Sequence, residues 1–88
     1  MVKGTARVTN TKGIHARPSA EIALFAKSVK STIVLNYDGK TSNPINVLQT
    51  IVLEMFEGSE IEIVVTGEDE VEVLEKMKML ISKKYDFA

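Results

Sequence analysis

Three segments of this chain alternate between apolar and polar side chains, and that period of two most constrains what it can fold into. Val2, Gly4, Ala6 and Val8 share one side of the first segment, against Lys3, Thr5 and Arg7 on the other. Ile33, Leu35 and Tyr37 share a side in 32–37, and Ile61, Ile63 and Val65 do so in 60–66. Each segment reads as a strand with one buried and one wet face. Such strands build an antiparallel sheet that packs a core on one side only, since parallel sheets are covered on both. Asp38-Gly39 follows the second segment and matches a two-residue type I′ turn, which requires positive φ at both central residues. Lys40 to Asn43 is therefore expected to return as a short strand.

Between these strands the period changes to that of a helix. Pro18, Ile22, Phe25, Ala26 and Val29 form a core stripe in 16–28, with Ala16, Ala20 and Leu24 as a shallower stripe on an adjoining face. Pro18 is tolerated in the first turn, where its missing N–H would have no intrahelical partner. Asn46 is placed to cap a short helix over 47–53. Gly67 ends the last strand, and Asp69 is expected to cap the final helix. Val73, Leu74, Met77, Leu80 and Ile81 supply that helix's buried stripe. Glu68, Glu70 and Glu72 complement its N-terminal dipole, and Lys83 and Lys84 its C-terminal end. The predicted order β-α-β-β-α-β-α is an α+β fold: a four-stranded antiparallel sheet covered on one face by three helices.

The 88 residues, 44% hydrophobic and 26% charged, suit one domain over 1–88 with one core. With no cysteine and a single histidine, neither a disulfide framework nor a Cys/His metal site can be built, so no metal or other cofactor is expected. No apolar run approaches the ~20 residues that span a bilayer, and the N-terminus lacks the apolar stretch of a signal peptide. A cytoplasmic monomer without membrane insertion is expected. The charges are segregated. Lys3, Arg7, Lys12, Arg17, Lys27, Lys30 and Lys40 face only Glu21 and Asp38 in the first 53 residues, whereas 54–75 holds acids and no base. The basic part is suited to steer acidic protein partners. A pI of about 5.8 and the absence of a basic stripe with interleaved aromatics argue against nucleic acid.

The motif that carries chemistry is Gly13-Ile14-His15-Ala16-Arg17-Pro18-Ser19-Ala20. It places the only histidine and one of two arginines at a predicted helix N-terminus, where backbone N–H groups favour an anion. Taken singly, His15 is as well explained as a surface or capping residue and Arg17 as a solvated charge. Ser19 reads as a first-turn helix residue rather than a nucleophile, because no second histidine exists to activate it. Met77 and Met79 read as packing or surface residues.

At Gly-Ile-His-Ala-Arg-Pro the chain closely resembles the HPr family, the histidine-containing phosphocarriers of the phosphoenolpyruvate-dependent sugar phosphotransferase system. The resemblance extends through the Asn36–Thr41 hairpin, the short second helix, the Glu57-Gly58-Ser59 turn and the final helix. It implies an open-faced β-sandwich with strand order 1-4-2-3. It also implies that His15 accepts a phosphoryl group on Nδ1 from enzyme I and passes it to enzyme II A domains, the chain being a carrier and not an enzyme in its own right. Ala16 and Arg17 would then offer backbone N–H groups to the phosphoryl oxygens, and Arg17 its guanidinium as well. The implied partner surface comprises Ala16, Ala20, Leu24, Val47, Leu48, Ile51 and Val52, rimmed by Arg17, Lys27 and Gln49. A purely regulatory, nitrogen-type role for the same histidine is the alternative. Two positions depart from the family pattern. Asn46 stands where many members carry a serine phosphorylated by a dedicated kinase, so that regulatory branch is not expected here. Glu54 stands where the family usually has glycine, a change that bears on either the backbone or the local charge.

Overall fold

The computed structural model describes residues 1–10 and 16–83. Its elements are β1 (Val2–Arg7), α1 (Ala16–Ser28), β2 (Thr32–Tyr37), β3 (Lys40–Ser42), α2 (Val47–Val52), β4 (Glu60–Thr66) and α3 (Glu70–Ser82). The strands form one sheet in the order β1-β4-β2-β3, every neighbouring pair antiparallel. The four-stranded α+β architecture expected from the sequence is present, with β3 and α2 each ending a residue earlier than the pattern indicated.

Register follows from the period of two. Ile63 of β4 lies between Gly4 of β1 and Leu35 of β2, and Val65 between Val2 and Ile33. The apolar faces of three strands therefore point the same way, and a one-residue slip would turn all of them to water. Ile33, Leu35, Ile61, Ile63 and Val65 pack with Ile22, Leu53, Met55, Met77 and Ile81 in one buried cluster. Burying each such side chain contributes about 1.5–3 kcal/mol, which is what holds helices against the sheet.

Two close approaches set the shape. Gly4 has no side chain, so Leu74 and the Lys78 stem of α3 lie directly over β1. Gly67, at φ +153°, brings the end of β4 against Ser31; a Cβ there would stand 2.7 Å from the Ser31 Cα. At the opposite end, the β1–β4 ladder continues past β1, with the Val8 N–H donating to the Ser59 carbonyl (2.9 Å) and the Gly58 N–H to the Val8 carbonyl (2.7 Å). The Thr9 hydroxyl donates to the Ser82 carbonyl, closing the last turn of α3 onto the same end of the sheet. The hairpin turn has φ +51° at Asp38 and +76° at Gly39, both positive as a type I′ turn requires.

Two expectations need correction. Asp69 occupies the N-cap position of α3 but makes no side-chain cap. Its carboxylate instead accepts the Lys30 N–H (3.2 Å) and the Ser31 hydroxyl, because the α1–β2 connection brings those donors closer than its own helix does. Phe25, Val29 and Leu80, assigned to core stripes, are only half-buried at the α1–α3 seam, while Ala23 and Ser19 are fully buried. Lys83 is at the C-terminal end of α3 as expected, as its extended C-cap residue, and its ammonium lies 3.7 Å from Glu21 of α1. Lys84 lies outside the described residues. No described helix is long and apolar enough to cross a membrane.

Candidate functional site

The segment Gly13-Ile14-His15 lies outside the described residues; the structure begins again where Ala16 opens α1. A helix turns the N–H groups of its first turn outward along its axis instead of into bonds one turn back, so Ala16 and Arg17 present theirs at this end. Pro18 has none to present. Arg17 is exposed, whereas Pro18 and Ser19 are buried. This buried pair anchors the opening turn and explains why the arginine faces outward. The Ser19 hydroxyl is buried without a hydrogen-bond partner among the described residues.

Arg17, Ala20, Leu24 and Lys27 recur at helical spacing and are all exposed on one face of α1. Leu24 is 70% exposed. The neighbouring α2 packs against α1 and carries a second exposed apolar group. Leu48 is 73% and Val52 64% exposed, with Gln49 beside them, while Val47 and Ile51 are half-buried. The one fully buried residue of α2 is Thr50, whose hydroxyl meets that of Ser42 at 3.2 Å. Val47 and Ile51 thus contribute to the implied partner surface only with part of their side chains. Sequence reading also left out Ile45 and Phe56, exposed apolar residues on either side of α2. Both sit in irregular segments, where no period marks a face.

Polar contacts fix α2. Asn46 Oδ1 accepts the Gln49 N–H (3.1 Å), so the predicted cap is made. Gln49 Oε1 in turn accepts the Asn43 N–H (3.0 Å), and Asn43 Oδ1 accepts that of Ile45 (3.1 Å). At the other end, Glu54 adopts φ +57°, the left-handed region that favours glycine, and its carboxylate lies 3.7 Å from the Lys40 ammonium. The chain path of a glycine is therefore kept, and a carboxylate is added beside a basic side chain.

The perturbed acids lie elsewhere. The Ser31 hydroxyl, with the Lys30 N–H, holds the Asp69 carboxyl below its ordinary value. The Met1 ammonium, 2.8 Å from Glu70, does the same for that residue. Both belong to the start of α3, and the antiparallel run of α1 against α3 puts them away from the α1 opening. Among the described residues no group of three or more His, Cys, Asp or Glu could hold a metal ion.

Comparison with known proteins agrees with this geometry. The family model described as the phosphotransferase-system HPr component phosphorylation site matches residues 2–83. The phosphocarrier protein HPr of Treponema pallidum (strain Nichols) is 37% identical over 86 residues, covering 98% of this chain and 98% of that one. The phosphocarrier protein NPr of Escherichia coli (strain K12) is 30% identical over 86 residues, covering 97% and 96%. The crystal structure of a phosphocarrier protein HPr from Bacillus anthracis str. Ames aligns with a TM-score of 0.87 at 30% identity, over 92% of this chain and 96% of that one. With one family model spanning nearly every residue and relatives matched end to end, the chain belongs to the HPr family of phosphocarrier proteins.

Proposed function

We propose that His15 carries a phosphoryl group between enzyme I and enzyme II A domains of a sugar phosphotransferase system. The observation that supports this most directly is the motif itself, Gly-Ile-His-Ala-Arg-Pro at the opening of α1, in a chain matched along 2–83 by a phosphorylation-site family. An unprotonated imidazole has a lone pair to offer on one ring nitrogen. A bond forms from His15 Nδ1 to phosphorus as the bond to the donor breaks; the reverse exchange hands the group to the acceptor. The carried group has roughly −1.5 to −2 charges. A helix terminus contributes about 0.3–1 kcal/mol toward holding it, and an exposed guanidinium such as that of Arg17 about 0–1 kcal/mol. Terms this small suit a relay, because deep stabilisation would stop onward transfer. Partners supply the remaining positioning, docking on Leu24, Leu48 and Val52 with Arg17 and Lys27 at the rim.

Incubation with phosphoenolpyruvate and purified enzyme I, followed by mass spectrometry, tests the assignment. An acid-labile phosphate is expected on the native chain and not on the His15→Ala variant; a phosphate on both overturns it. The similarity to NPr supports a second reading, in which the phosphorylation state of His15 regulates partner proteins without feeding sugar import. Transfer to a nitrogen-type enzyme II A domain but not to a sugar-specific one favours that reading.

A further inference from the structure

On the basis of the carrier role proposed above, we infer that the concavity between β3 and α2 receives an apolar side chain of the phosphoryl donor, and that Glu54 sets this preference by neutralising Lys40 at its mouth. The concavity holds about 300 Å³ and is lined by Leu48, Val52 and the buried Leu53. Leu48 and Val52 are the most exposed apolar residues of α2, so the hollow opens within the docking surface itself. The polar side chains along it are engaged within the chain. Asn46 Oδ1 and Gln49 Oε1 each accept a backbone N–H, the Thr41 hydroxyl donates to Asn36 Oδ1 (2.9 Å), and the Lys40 ammonium faces the Glu54 carboxylate at 3.7 Å. An apolar group entering here is buried against three apolar side chains without stripping water from a lone charge. A carboxylate would meet an ammonium whose charge is already answered, with the Glu54 carboxylate close by to repel it. Stability does not account for Glu54. It has a Cβ yet holds a left-handed backbone at φ +57°, and an exposed ion pair contributes little. Without it, Lys40 would be a lone cation beside the apolar walls, suited to an acidic partner group.

The rate constant for phosphoryl transfer from phosphorylated enzyme I at low concentration tests this in the parent chain, in Glu54→Gln and in the double variant Glu54→Gln/Lys40→Gln. Glu54→Gln is expected to slow transfer roughly five- to tenfold, because docking then strips water from an unpaired ammonium. Removing that ammonium as well is expected to recover most of the lost rate. Faster transfer in Glu54→Gln overturns the inference in favour of an acidic donor group. An unchanged rate overturns it by placing the pair outside the contact, and a double variant as slow as the single one overturns it by assigning the effect to the backbone at 54. Absence of phosphate on the parent chain overturns the carrier role itself, and this inference with it.

Discussion

The Ser31 hydroxyl donates to the Asp69 carboxylate across 38 residues of chain, joining the start of β2 to the start of α3. With the Lys30 N–H on the same carboxylate, this contact replaces the helix cap that Asp69 would otherwise make. The carboxyl is held below its ordinary value of 3.8, so the folded state favours the charged form. Its contribution is complete above the unfolded-state value and is lost as pH falls through the lower folded-state value. Stability is therefore expected to decline below about pH 4 partly through this group. In Ser31→Ala the difference between urea midpoints at pH 7 and pH 3 is expected to shrink. An unchanged difference would show that the contact does not carry the pH dependence.

Glu54 at φ +57° bears the cost of a left-handed conformation in a residue with a Cβ, about 1–2 kcal/mol. Glu54→Gly removes that cost while making the unfolded chain freer. The lost pair with Lys40 is exposed and counts for little. A net gain of about 0.5–1 kcal/mol is expected from equilibrium urea unfolding; a loss would mean that the Lys40 contact outweighs the backbone.

Two glycines respond differently to the same substitution. In Gly4→Ala the new methyl meets mainly the flexible end of Lys78, which can swing aside, so a cost below about 1 kcal/mol is expected. In Gly67→Ala it meets the Ser31 backbone at a φ that alanine rarely adopts, and a cost above about 2 kcal/mol is expected. Thermal unfolding of both variants reads the order directly.

The strands were legible because their burial obeys a strict period of two, and the Asn46 cap because its acceptor is local in sequence. Asp69 was misread because its partners, Lys30 and Ser31, are brought to it only by tertiary structure. The α1–α3 seam was misread for a related reason. Periodicity finds which residues share a face, but Phe25, Val29 and Leu80 stand at the edge of the contact, and the width of that contact is set by how the helices pack. At the candidate site the motif suggested the chemistry proposed above, while the exposure of Leu48 and Val52, and the half-burial of Val47 and Ile51, depended on Thr50 facing inward to meet Ser42.

That inward turn of Thr50 makes a functional prediction possible. Leu48 is 73% exposed, so Leu48→Ala is expected to change folding stability by no more than about 0.5 kcal/mol. If Leu48 is a docking contact, the same change removes about 1–2 kcal/mol of partner binding, a five- to thirtyfold loss in the rate constant for phosphoryl transfer from enzyme I at low concentration. Val71, 64% exposed in the first turn of α3, is the matched control, because its helix start lies away from the opening of α1. Val71→Ala is expected to leave transfer unchanged. Equal slowing by both substitutions would argue that apolar surface acts non-specifically, and no slowing by Leu48→Ala would remove α2 from the docking surface.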